Sequence, residues 1–176
     1  MNKFSTSIKY GLVAGLCMIA SYMMLYLINA ELLASFFTII LYGFAIFFMI
    51  YAGITFRKEN NGYKSYLQAF LVVFITGIIA AFAIDIYGYV FFNFIDPSMV
   101  EVVKEAAIKK TADLYEKLNL PDDQVERYIN EIKYQDFRPT ITSLSFRMLA
   151  SAIITAIFSA LIAVFVRRND TTTTIR

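Results

Sequence analysis

Histidine is absent from the 176 residues, and the one cysteine, Cys17, lies inside an apolar run. Without histidine there is no Ser-His-Asp or Cys-His arrangement, no histidine metal site and no usual general base at neutral pH. With one cysteine, no disulfide closes within the chain and no thiolate metal cluster forms. An excess of either charge is also lacking: 16 basic residues against 14 acidic ones leave a formal net charge of +2, too small to argue for nucleic acid or an acidic substrate. These absences leave no catalytic residue, metal or cofactor to name, and the chain reads as something other than an enzyme.

Apolar residues make up 59% of the chain, aromatics 16%, and mean hydropathy is +0.59. A soluble domain uses roughly 45–50% apolar residues, so bulk chemistry points to the bilayer. Four apolar runs are long enough for a span of about 20 residues: Tyr10 to Ile28, Leu32 to Phe56, Tyr66 to Phe94 and Met148 to Val166. Lys9, Glu31 and Arg57, Lys64 and Asp96, and Arg147 and Arg167 bound them. A cleaved signal peptide ending at Ala30 fits the first run poorly. The run exceeds the roughly 7–15 residues of a signal core, and bulky Ile28 would stand three before the cut. A lipidated Cys17 fails too, because Leu16 before it is large.

Basic residues decide orientation. Lys3, Lys9, Arg57, Lys58, Lys64, Arg167, Arg168 and Arg176 fall on one side, and none lies between the first two runs. The positive-inside rule puts both termini, residues 1–9 and 167–176, in the cytoplasm. Residues 95–146 are then outside. Within them Asp96-Pro97 reads as a helix cap followed by proline at the first helical position, opening a helix to about Leu118. Asn119-Leu120-Pro121 breaks it, and a second helix runs from Pro121 to about Tyr134, with Asp122 and Asp123 as first-turn acids rather than a metal site. Val103, Ala107, Leu114 and Leu118 form one apolar face and Val125, Ile129 and Ile132 another. The expected fold is all-α: a four-helix membrane bundle with an extracytoplasmic helical hairpin between the third and fourth spans. Thr171 to Thr174 read as a disordered end.

One carboxylate stands out. Asp85 has no other charge between Lys64 and Asp96. Gly77, Ala81, Asp85 and Gly88 recur at spacings of four, four and three on one stripe of the third helix, and small residues mark close helix contacts. Asp85 is therefore expected to face the bundle interior. Arg147, Ser151, Thr155 and Ser159 share one face of the last helix. Arg147 is a tempting counter-ion, but helix direction tilts the two side chains apart. With Ala80 and Ile157 at the midplane, Asp85 lies about 7 Å outward and Arg147 about 15 Å. The expected partners are Ser151, Thr155 and, from the first helix, Tyr22, around a hydroxyl-lined pocket. An intramembrane acid is a functional candidate by default; its bland role is a neutral carboxyl holding the bundle in register. Gly11 and Gly15 permit oligomerisation, although such pairs more often pack within one chain.

The stretches GYKSYLQAF (Gly62 to Phe70) and FFNFIDPSMVE (Phe91 to Glu101) carry a likeness. Over nearly its whole length the chain resembles a four-span inner-membrane protein family of Bacteroidota, domain of unknown function 4199. Asp96 and Pro97 are the positions that match best, with a structural role. The resemblance implies a bacterial inner-membrane location. Through an association of such proteins with polyprenyl-phosphate sugar transferases, it also implies an accessory role in envelope sugar chemistry, with no catalytic residue. Two function classes follow. The first is a non-catalytic accessory subunit or scaffold that docks a protein partner. The second is a small oligomeric carrier or lipid-handling protein that uses Asp85.

Overall fold

A computed structural model describes residues 3–29, 38–59, 65–118 and 121–167. Among these the chain is all-helical: α1 (Lys3–Ile28), α2 (Thr38–Lys58), α3 (Tyr66–Val90) continuing through a π-helical turn (Phe91–Ile95), α4 (Met99–Lys117), α5 (Asp122–Tyr134) and α6 (Ile141–Val166). The expected start of the second span at Leu32, the break at Asn119-Leu120, and the basic and threonine-rich tail from Arg168 lie outside the described residues.

Four of these helices are long and apolar enough to cross a membrane: α1, α2, α3 with its π turn, and α6. Their ends group by sequence order. Thr6 donates to Glu59 Oε2 at 3.2 Å, Arg57 Nη1 to the Val166 carbonyl at 3.0 Å, and the Tyr66 hydroxyl to the Ala160 carbonyl at 3.3 Å. The starts of α1 and α3 therefore share one end of the bundle with the finishes of α2 and α6. In the centre, α3 packs against α1, α2 and α6.

Two spans begin earlier than expected. Thr6 and Ser7, polar residues before the first apolar run, are fully buried in α1, where Ser7 Oγ donates to the Val72 carbonyl at 3.2 Å. Short hydroxyls satisfied by a neighbouring backbone let a polar sequence continue a packed helix. At the other end of the chain, α6 starts at Ile141 rather than Met148. Thr140 Oγ1 accepts the Ser143 N–H at 3.1 Å, and Ser143 Oγ accepts the Thr140 N–H at 2.8 Å. This reciprocal cap satisfies two otherwise orphaned donors. It makes Arg147 a residue of the helix instead of its outer boundary.

The packing of α1 on α3 uses the glycines. A Cβ at Gly11 would lie 2.8 Å from Ile79 Cβ, and one at Gly15 would lie 2.7 Å from Ala83 Cβ. Gly11 and Gly15 thus serve an intramolecular contact, through the backbone approach that small residues permit where hydrophobic burial gives no drive between helices. Large apolar side chains such as Leu16, Phe47, Leu161 and Phe165 point outward from the bundle.

At the far end, α4 and α5 pack on each other, with the Tyr115 and Tyr128 rings 5.1 Å apart. Met99 and Val102 root α4 in the main core cluster beside Phe91. Helix α4 begins at Met99, two residues later than expected, because residues 97 and 98 form a turn. The N-cap position therefore falls on Ser98, without a side-chain capping bond, instead of on Asp96; the Asp96 carboxylate braces the turn, accepting the Ser98 N–H at 3.1 Å and the Tyr26 hydroxyl at 2.7 Å. Asn93, in the π turn, donates to the Tyr89 carbonyl at 3.0 Å and the Pro139 carbonyl at 2.9 Å. Its side chain thereby ties the end of α3 to the approach to α6.

Candidate functional site

The stripe of small residues on α3 decides where α6 lies. A Cβ at Gly77 would be 2.6 Å from Thr155 Cγ2 and 2.8 Å from Met49 Sδ, so the backbone of α3 is pressed between α2 and α6 at that point. Two turns along, Asp85 is 6% exposed. Ser151 Oγ donates to its Oδ2 at 2.7 Å, and Arg147 Nη2 approaches its Oδ1 at 3.5 Å. One further turn on, the Arg147 guanidinium lies over Gly88, where an added Cβ would meet Nη2 at 3.7 Å.

The Arg147 contact overturns the divergence expected from helix direction. Midpoints of apolar runs do not set the register of two helices; close packing of Gly77 on Thr155 does, and it brings Arg147 level with Asp85 and Gly88. The missing side chain at Gly88 leaves room for the guanidinium to turn along α3. Desolvation makes such a pair costly unless both ions find partners. Here the carboxylate has two, and about half of the Arg147 side chain remains exposed.

A cavity of about 500 Å³ opens beside this group. Its polar wall is Asp85, Ser151 and Thr155; its apolar wall includes Met18, Met49 and Phe158. Three of the four residues expected together therefore meet at one site. Tyr22 does not line the cavity; it is buried in an aromatic cluster with its ring 5.6 Å from Tyr87 and 5.3 Å from Phe91. Edge contacts of this kind hold the ring among its aromatic neighbours, while its hydroxyl stays within electrostatic range of Arg147. Ser159, on the same face of α6, is fully buried, and its Oγ has no partner among the described residues.

Asp96 is a different kind of carboxylate. Hydrogen bonds from the Ser98 hydroxyl first, and then from Tyr26, hold it below its ordinary value of 3.8. Together with the turn at Pro97, it is a structural joint between the bundle and α4. Among the described residues, no three Asp, Glu or Cys side chains converge on a metal-sized space. The chemistry available at Asp85 is thus hydrogen bonding and charge, next to an apolar chamber.

Residues that the sequence did not single out complete the site. Gly43 and Met49 line the cavity from α2, and Met18 from α1. Nothing in a uniformly apolar helix distinguishes an inward methionine from an outward one, and the sequence carries no signal for these three.

Four membrane-crossing helices around a buried polar group define a multi-pass membrane protein. A family model described as Protein of unknown function (DUF4199) matches residues 9–168, and the chain belongs to that family. No curated protein and no solved structure matches it.

Proposed function

We propose that the protein is a non-catalytic, lipid-handling protein of a bacterial inner membrane, which holds an amphiphilic guest in the cavity beside Asp85. Both termini are cytoplasmic in this reading, supported by the basic residues that flank α1, α2 and α6 at one end of the bundle. One observation carries the proposal: a chamber of about 500 Å³ between the helices, apolar except where Asp85, Ser151 and Thr155 meet. That size falls in the roughly 300–1,000 Å³ range of small-ligand sites, and a few convergent polar groups in an apolar wall are their usual chemistry. An intramembrane carboxylate beside such a space is best read as the group that orients the guest.

The accessory-subunit reading also has an observation in its favour. Leu114 on α4, Leu118 just after it, and Tyr128 and Tyr134 on α5 are exposed, Tyr134 at 90%. Such a surface would suit a protein partner in an envelope process, or a second copy of the chain. Purification in mild detergent from native membranes, with mass spectrometry of everything that co-elutes, separates the two readings. A specific lipid retained by the protein supports the guest. A stoichiometric protein partner with no retained lipid overturns it in favour of the accessory subunit.

A further inference from the structure

We propose that the guest is a bilayer lipid whose acyl chain passes sideways between α2 and α6 into the cavity, and whose anionic phosphate head is held by Arg147. This rests on the reading of the cavity as a ligand site.

The way in follows from how α2 and α6 meet. At one end they are closed: Met49 clusters with Ile162 and Val166, a Cβ at Gly53 would lie 2.7 Å from Val166 Cγ1, and Arg57 bonds the Val166 carbonyl. Toward the other end, a Cβ at Gly43 would meet no neighbouring element within 4 Å among the described residues. Tyr42, Ile154 and Phe158 line the cavity and are yet 59%, 55% and 43% exposed. The chamber is therefore open between the two helices. Both are membrane-crossing segments, so what lies outside that opening is hydrocarbon. An acyl chain crosses from one apolar medium to another, which carries no hydration penalty and lets packing decide.

The sign of the head group follows from the hydrogen bonds already made. Asp85 is nearly sealed, and each of its oxygens has a partner. A guanidinium carries five N–H donors, and Arg147 spends one of them on a long 3.5 Å contact. The unused binding capacity is cationic. A planar fork of donors fits a phosphate through two parallel bonds. Asp85 and Ser151, which line the cavity, place the Arg147 guanidinium at its edge.

Depth agrees with this assignment. Arg147 precedes Arg167 by about 20 residues, roughly 30 Å along an α-helix, which is the thickness of the hydrocarbon layer. With Arg167 at one headgroup layer, Arg147 stands at the other, where lipid phosphates are found. The chamber lies just below it, lined by Ser151, Ile154, Thr155 and Phe158 along the next turns of α6.

Native mass spectrometry of the detergent-solubilised chain tests the inference, with dioleoyl phosphatidate and dioleoylglycerol as probes. The two share their chains and differ in the phosphate. The wild type is expected to retain one phosphatidate in several-fold excess over the diacylglycerol. Asp85→Asn combined with Arg147→Gln, which removes both charges together, should abolish the preference. Gly43→Phe, which adds a ring where the structure has open space, should lose both lipids. Arg147→Lys keeps the charge without the fork and should weaken the preference, so the test survives if the double variant fails to fold. Equal retention of both probes by the wild type overturns the head-group assignment and leaves the cavity reading standing. Retention of neither overturns both. An undiminished preference in the charge variants, or phosphatidate retained by Gly43→Phe, places binding elsewhere and overturns the assignment.

Discussion

Arg147 and Asp85 meet at 3.5 Å across the seam between α3 and α6, and the guanidinium reaches the carboxylate over the bare backbone of Gly88. The two ions are unequally placed: the carboxylate is buried, and about half of the arginine side chain is exposed. That asymmetry separates their mutational effects. Arg147→Ala strands a buried charge and is expected to destabilise the bundle by about 3 kcal/mol, the low end for a broken buried pair. Asp85→Asn leaves an amide that still accepts from Ser151, and should cost about 1 kcal/mol. Asp85→Asn with Arg147→Ala should recover much of the larger loss. Thermal unfolding in detergent for the wild type and three variants closes the cycle; equal losses for the two single variants would refute the asymmetry.

The α1–α3 contact predicts a different response. A methyl at Gly15 would stand 2.7 Å from Ala83 Cβ, with both helices holding it there. Gly15→Ala is expected to lose about 1–3 kcal/mol through overpacking, more than the helix propensity gained by replacing glycine. The glycine pair acts within the chain, so the oligomeric state of whatever remains folded should not change. Light scattering alongside the melting curve would expose a shift in mass, the sign that these glycines serve a contact between copies.

Gly43 should behave in the opposite way, although it too sits inside a membrane-crossing helix. Among the described residues, no atom beyond its own helix turn stands within 4 Å of a Cβ at that position, whereas at Gly77 one would meet Thr155 at 2.6 Å. Gly43→Ala is expected to gain about 1 kcal/mol from propensity alone. Gly77→Ala should instead be destabilising, since α2 and α6 both press on that point. Paired melting curves in one detergent check the ranking. A loss at Gly43 would mean that the space beside it is filled.

These glycines also show where sequence reasoning reached and where it stopped. The stripe of Gly77, Ala81, Asp85 and Gly88 was legible because helical spacing is a property of one strand of residues. It led to Ser151 and Thr155 on the facing helix. Arg147 was misplaced because register belongs to a pair of helices, and the centre of an apolar run is a poor guide to it. Depth brought Tyr22 within electrostatic range of Arg147, the partner of Asp85, but could not show that its ring packs on Tyr87 and Phe91 and stays out of the cavity wall. The cavity itself was foreseen as hydroxyl-lined, yet most of its wall is aliphatic, aromatic and thioether surface. Uniform hydrophobicity hides which side of a membrane helix faces inward.

At the joint between the bundle and α4, Asp96 links Tyr26 of α1 to Ser98 before the helix. Its carboxyl is held below the ordinary 3.8, by the Ser98 hydroxyl first and the Tyr26 hydroxyl next. A folded-state value below the unfolded one means that the unfolded chain binds the proton more readily. The stability contributed by Asp96 is then fully present above the unfolded value and is lost as pH falls through the folded one. Asp96→Asn should therefore melt below the wild type by a constant margin from neutral pH down to about pH 5, and the gap should narrow below pH 4. Tyr26→Phe removes one of the two side-chain donors and should show the same pH pattern with a smaller margin. A gap that stayed constant through pH 3 would mean that the ionised carboxylate contributes nothing to this joint.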